Sequence, residues 1–422
     1  MIQEKVLLVI IDFKRNGDWS KEDITQELEE LVVACHGKVI DKIFCRIDRP
    51  SPAYLIGTGK VNEITSFCSF HPVDTVVFSR DLKSNQQRNL EEVIKVKTID
   101  RTQLILDIFA HRAASLEGKM QVELAQLEYL IPRLVGQGIY LSRLGGGIGT
   151  VGPGETKLEV DRRRIAERIA KLKKGLKEVA YDRSLKRKKR REEGLAMISL
   201  VGYTNAGKST LLNTLTHANQ LTQDGLFTTL DPLSRQLVLP SHQKVILSDT
   251  VGFMHDLPLH LIEAFKATLE EVTESDLLLH ILDVSHPQFL KKRESVLEVL
   301  KELKAEDKPM ITVLNKIDQL EDKSRLEGIY PIAENPVAIS AKTQENIPQL
   351  LDKISDMIST LFITIDCVIP INRMDLISLA HTQGQVYSVK YYNDTIHIRA
   401  SLPAKVAGQF YKVSQPFDSP SA

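Results

Sequence analysis

The sequence predicts an α/β protein in four parts. Three observations carry that reading. Strand-like and helix-like runs alternate over residues 1–100. Apolar residues recur with helical period through two long stretches of residues 101–193, and a strand, a glycine-rich loop and a helix open residues 194–362. Residues 363–422 complete the chain as a small α+β domain. A length of 422 residues leaves room for several cores. Lys and Arg number 55, as do Asp and Glu, so the formal charge is zero. That excludes a uniformly basic protein but not a local basic patch. No apolar run approaches the ~18 residues of a membrane helix. No basic stretch followed by an apolar one opens the chain, so no secretory signal is expected. Cys35, Cys45, Cys68 and Cys367 lack metal-ligand spacing, and a reducing cytoplasm is the expected compartment.

Lys5–Ile11 reads as a strand and Lys21–Ala34 as a charged amphipathic helix. Lys38–Cys45 is a strand, Val61–Phe70 a short helix, Asp74–Phe78 a strand and Ser84–Ile94 a helix. This order gives a small parallel sheet. The Gly-rich turn Leu55–Lys60 is either an anion site at a helix N-terminus or a tight turn.

From residue 101 the period changes. Leu104, Ile108, Leu116, Met120, Leu124, Leu127, Leu130, Ile131 and Leu134 predict one amphipathic helix over 101–134, about 50 Å long. A second long helix is expected from Glu155 to Glu193, where Leu158, Ile165, Leu172 and Val179 form a heptad seam. The two should pack as an antiparallel hairpin, which satisfies the seam within one chain and predicts a monomer. Eight of the 22 glycines fall in the joining loop, Gly136–Gly154. Such a loop is flexible or lets its backbone approach a partner closely. The second helix carries 16 Lys and Arg against 8 Asp and Glu and ends in six consecutive cations, Lys186–Arg191. The stripe reads as a footprint for a phosphate backbone or as a solvated helix face.

At the other end, Ile363–Ile371, Gln385–Tyr392 and Thr395–Ala400 read as strands, with a helix near Met374–Thr382 and a hairpin turn at Tyr391–Thr395. The Ser/Pro-rich tail after Gln415 is expected to be disordered.

The strand Ala196–Val201 runs into Gly202, Tyr203, Thr204, Asn205, Ala206, Gly207, Lys208, Ser209 and Thr210, and a helix pattern follows. This is a P-loop in its strand–loop–helix context. Lys208 should reach the β and γ phosphates, and the Ser209 hydroxyl should coordinate Mg²⁺. Asp249, Thr250, Val251 and Gly252 end a second strand. Asp249 can hold Mg²⁺ through water, and the Gly252 N–H can meet the γ-phosphate. Asn315, Lys316, Ile317 and Asp318 end a third. A carboxylate there accepts from the N1–H and N2–H₂ of guanine, for which adenine has no counterpart. Ser340, Ala341 and Lys342 end a fourth, where backbone can reach guanine O6. Four motifs at strand C-terminal ends agree with where open α/β sheets bind ligands, and GTP is the expected ligand. Phe227, Thr228, Thr229, Leu230 and Asp231 precede Pro232 in a switch-like segment. Thr229 is the chosen third Mg²⁺ ligand, with Thr228 as the alternative.

Lys208, Thr229 and Gly252 are thus the expected catalytic groups. Ras-like enzymes place a glutamine directly after the Asp–x–x–Gly motif to orient the attacking water. Here that residue is Phe253. A K⁺ ion held by Asn205 is one substitute, unless Asn205 only shapes the loop. Ordering of the switches by a partner is another. His255 and His260 read as ordinary loop or helix-surface residues.

With these residues the chain resembles the HflX family of ribosome-associated GTPases, of the class with a hydrophobic residue in place of the glutamine. The resemblance rests on Gly145–Glu159, Gly202–Ser209, Phe227–Pro232, Asp249–Phe253 and Asn315–Asp318. The Gly-rich stretch running into a basic helix is its most specific part. Val151 departs from it, standing where the family often has Arg. The resemblance implies an N-terminal domain with a helical hairpin, then a GTPase domain and a short C-terminal domain. It implies binding to the large ribosomal subunit, with the hairpin tip near the peptidyl transferase centre, and dissociation of stalled ribosomes under stress such as heat. Arg143, Gly145, Gly146, Gly147, Arg162, Arg163 and Arg164 would then face RNA. A large-subunit assembly factor and a GTP-sensing RNA-binding module are the competing readings.

Overall fold

The computed structural model describes residues 3–13, 19–134, 153–192, 195–216, 227, 233–255 and 266–414. They form two compact units. The first runs to Lys177 and takes in Phe227 and Lys266. The second takes the rest from Glu178 onward.

The first unit is built on β1 (Lys5–Phe13), β2 (Lys38–Ile47), β3 (Thr75–Phe78) and β4 (Lys97–Asp100). All pair in parallel, in the order β2-β1-β3-β4. Val6–Ile11 of β1 are all buried, as a parallel strand with both faces covered requires. The helices are α1 (Lys21–Ala34), α2 (Thr58–Phe70) and α3 (Ser84–Ile94). Ser20 caps α1 in a reciprocal box with Asp23. Gly57 caps α2 at an ordinary φ of −72°. The Leu55–Lys60 segment is thus a turn that leads directly into a helix.

The single helix expected over 101–134 is two, α4 (Arg101–Arg112) and α5 (Leu116–Leu134). Ala113 leaves the helical region, and the Ser115 hydroxyl accepts from the Gly118 N–H at 2.9 Å, which starts a new helix. A cap outweighs an apolar period that continues across the break. Asp100 caps α4 through the Gln103 N–H and also accepts from Leu82 N, Tyr129 Oη and Arg133. The Arg133 guanidinium lies 3.3 Å from the Tyr129 ring centroid. This cluster fastens the end of α5 to the sheet. The long helix α6 (Pro153–Glu192) bears on α5 through Arg168, whose guanidinium donates twice to Glu123 at 2.6 and 2.7 Å, and through Lys173 with Glu128 at 2.8 Å. Gly175 of α6 lets Met120 approach closely. Of the seam, Leu172 is buried and Ile165 and Val179 are half-buried. The loop residues 136–152 and the tail from Gln415 lie outside the described residues.

The second unit opens with β5 (Ala196–Gly202) and α7 (Lys208–Thr216), then β6 (Leu233–Val238) and β7 (Lys244–Asp249). It continues through α8 (Lys266–Glu274), β8 (Leu277–Asp283), α9 (Phe289–Glu302), β9 (Met310–Asn315), β10 (Val337–Ala338) and α10 (Ile347–Leu361). The sheet order is β10-β9-β8-β5-β7-β6, parallel except for β6. Its helices cover buried Ile and Leu on β5, β7, β8 and β9. Helix α10 passes directly into β11 (Phe362–Pro370), which pairs with β13 (Thr395–Pro403). Between them run α11 (Met374–Gln383) and β12 (Gln385–Tyr391), and Tyr392 N donates to Thr395 O in the expected hairpin turn. The closing helix α12 (Ala404–Tyr411) was not expected; its Val406, Ala407 and Phe410 fill the small core. Among the described residues no helix is long and apolar enough to cross a membrane.

Candidate active site

The site lies at the C-terminal ends of β5, β7 and β9. A Cβ on Gly202 would meet the Ile281 carbonyl oxygen at 2.4 Å, so β5 can pass β8 only as glycine. Gly207 has φ +99°, and a Cβ there would lie 2.2 Å from Asn315 Nδ2. Asn205 is exposed and left-handed, at φ +60°. Asn tolerates this left-handed backbone.

Lys208 is buried at the start of α7. Its ammonium donates to Gly202 O at 3.1 Å and Tyr203 O at 2.9 Å. Burial pushes it down to about 8, and the Asp249 carboxylate opposes that. A bound anion acts in the same direction as Asp249. The Ser209 hydroxyl donates to Asp249 Oδ2 at 2.6 Å, across from α7 to the end of β7. Two hard oxygens brought together at a buried carboxylate suit Mg²⁺. Thr210 follows in the first turn of α7.

The segment after β7 is tied to the P-loop. The Thr250 hydroxyl donates to Leu200 O at 2.7 Å, Phe253 N donates to Gly202 O at 3.1 Å, and Thr204 N donates to Phe253 O at 2.8 Å. Val251 is buried, and Gly252 abuts Thr204 and Lys208 so tightly that a Cβ would clash. The Phe253 ring is 1% exposed. His255 gives its backbone N–H to Tyr203 Oη at 2.9 Å, and Lys292 sits over the Tyr203 ring.

Asn315 joins three segments. Its amide nitrogen donates to Ala206 O and its oxygen accepts from Ala341 N. Lys316 is left-handed and pairs with Asp283 at 2.7 Å; Ile317 is buried and Asp318 is exposed. Ser340 accepts from Thr343 N, Ala341 O accepts from the Thr214 hydroxyl, and Lys342 is exposed. The amide of Asn315 is thus engaged with protein at both ends. Its work is to hold the loops in register. Thr214 was not singled out in the sequence, because a helix hydroxyl carries no motif.

Phe227 turns its ring into the first unit, edge-on to Phe109 with centroids 4.6 Å apart. Thr228, Thr229, Leu230, Asp231 and His260 lie outside the described residues, as do Arg143, Gly145, Gly146, Gly147 and Val151. Arg162, Arg163 and Arg164 are exposed on α6, and Arg163 and Arg164 have Glu167 and Asp161 at 3.9 and 4.0 Å.

Residues 22–110 match the family of GTP-binding GTPase N-terminal regions, and 112–190 that of GTP-binding GTPase middle regions. Residues 197–316 match the 50S ribosome-binding GTPase family. The chain is 44% identical over 386 residues to the GTPase HflX of Caldanaerobacter subterraneus subsp. tengcongensis, covering 91% of this chain and 89% of that one. The chain belongs to the HflX family of GTPases. To the GTPase HflX of Escherichia coli K12 it is 42% identical over 357 residues, covering 84% of this chain and 83% of that one. A solved structure of a GTP-binding protein from the archaeon Sulfolobus solfataricus with GDP is 26% identical at a TM-score of 0.45, covering 85% of this chain and all of that one. As an HflX-family member the chain binds guanine nucleotide and hydrolyses GTP, as its motifs led one to expect.

Proposed function

We propose that this GTPase acts on the large ribosomal subunit, promotes dissociation of stalled ribosomes under stress, and uses GTP hydrolysis to leave. The observation that carries this is α6. It is a 40-residue helix with a twofold excess of cations, running on from a glycine-rich loop. Its Lys and Arg would grip rRNA phosphates, while a loop poor in side chains enters a narrow RNA cavity near the peptidyl transferase centre. The match of residues 197–316 to 50S ribosome-binding GTPases supports the reading.

In the GTP site, Lys208 faces the β and γ phosphates and the Gly252 N–H the γ-phosphate. Ser209, and Asp249 through water, would hold Mg²⁺, with Thr229 completing the shell. Mg²⁺ supplies charge neutralisation on the phosphates. Asp318 selects guanine, and the Ser340–Lys342 backbone approaches its O6. Asn205 can offer its carbonyl oxygen to K⁺. The protein works as a monomer in the cytoplasm, a reading supported by the burial of Leu172 within the single chain and by four free thiols.

Light scattering of stalled ribosomes tests the reading. Addition of the protein with GTP should lower the scattering as subunits part, and replacing Arg162, Arg163 and Arg164 by Ala should slow this. Unchanged scattering, with the protein bound to immature large subunits instead, would transfer the function to assembly.

A further inference from the structure

Phe253 leaves the attacking water without the glutamine that Ras-like enzymes use, and its buried ring offers no hydrogen bond. The P-loop residue bonded to Phe253 is Thr204. Thr204 is buried, and among the described residues its Oγ1 makes no hydrogen bond. A hydroxyl removed from water without a partner is costly, so such an atom calls for explanation. The neighbours of Thr204 supply one. A Cβ built on Gly252 would lie 2.7 Å from Thr204 Cγ2, 2.9 Å from Thr204 Cα and 3.2 Å from Lys208 Nζ. The Thr204 backbone N–H donates to the Phe253 carbonyl at 2.8 Å. Thr204, through its Cα and methyl, thus adjoins the Gly252 backbone, with the Lys208 ammonium beside them, and its hydroxyl branches from the same Cβ as that methyl. Lys208 and Gly252 are the two groups set against the γ-phosphate in the reading above.

We propose that Thr204 is a catalytic residue of GTP hydrolysis. Its hydroxyl donates to a γ-phosphoryl oxygen and accepts from the attacking water, which holds that water in line. A hydroxyl has one donor and two lone pairs and can do both at once. The bond from water oxygen to phosphorus forms. The bond from phosphorus to the β–γ bridging oxygen breaks, and its electron pair leaves on GDP. The water proton ends on inorganic phosphate, and Thr204 is unchanged. The proposal rests on the P-loop reading and is independent of the ribosome.

The test compares wild type with Thr204→Val and Thr204→Ser in single-turnover GTP hydrolysis without ribosomes. Affinities for GDP, for a non-hydrolysable GTP analogue and for GDP with aluminium fluoride are measured beside it. Val keeps the shape and removes the hydroxyl. It should slow hydrolysis about 100-fold, the scale of one lost transition-state hydrogen bond. It should bind GDP and the analogue as wild type does and fail to form the aluminium fluoride complex. Ser should stay close to wild type. Wild-type turnover by Thr204→Val would overturn the proposal. So would a loss of GDP affinity in step with the rate, which marks a packing role, or a Ser variant as slow as Val. If wild type itself binds GTP but does not turn it over, the fault lies in the GTPase reading and not in Thr204.

Discussion

The amide nitrogen of Asn315 donates to the carbonyl of Ala206 at 2.8 Å, while its oxygen accepts from Ala341 N at 3.0 Å. One side chain thus locks the P-loop, the end of β9 and the Ser340–Lys342 turn together. At 2% exposure it leaves two partners unsatisfied when removed. Asn315→Ala should lower stability by about 2 kcal/mol. It should also weaken GDP binding without touching the base. Denaturant unfolding with and without GDP checks both.

Asp318 is exposed at the mouth of the site and is the residue expected to read guanine. Asp318→Asn replaces two acceptors by one acceptor and a donor. GTP affinity should fall steeply, while a base carrying a carbonyl at C2, such as xanthine, should be favoured. Competition of GTP, ATP and XTP for the two proteins measures this. An unchanged GTP/ATP preference would remove Asp318 from the base.

Asp100 is fully buried and accepts from four donors, of which Arg133 is the one that bears charge. Burial raises the Asp100 carboxyl, and its hydrogen bonds act against that. Arg133→Ala should cost about 3–5 kcal/mol, because it strands a buried carboxylate. Arg133→Lys should recover little, since one ammonium cannot replace the fork that also reaches Leu82 O and Gln87. Thermal unfolding of the two variants shows the difference.

Burial pushes the Cys35 thiol up to about 12 and those of Cys45 and Cys367 up to about 11. A raised thiol pKa keeps the sulfur protonated and unreactive at any pH below it. At pH 8 a thiolate-specific alkylating reagent should therefore label these three slowly in the native protein. All four cysteines should label readily in denaturant. Peptide mapping after timed quenching reads this directly.

The GTP site was legible in the sequence because its chemistry fixes residue types. Gly202 and Gly207 are forced by the Ile281 carbonyl and the Asn315 amide, and the Ser209 hydroxyl meets the Asp249 carboxylate at 2.6 Å. Small devices were not legible. The Ser115 cap that splits α4 from α5 is one hydroxyl within an unbroken apolar period. The buried Oγ1 of Thr204 lies at a P-loop position that the motif leaves open. The clamp made by Asn315 was not legible either, because spacing along the chain does not say which way an amide points.

The most direct measurement is GTP hydrolysis with and without purified large subunits, in K⁺ and in Na⁺ buffer, for the full chain and for a deletion of Gly136–Gly154. Strong stimulation by the particles, abolished by the deletion with GDP affinity unchanged, is the expected result. Bound GTP with no stimulation in either salt would contradict it and leave a nucleotide-sensing module.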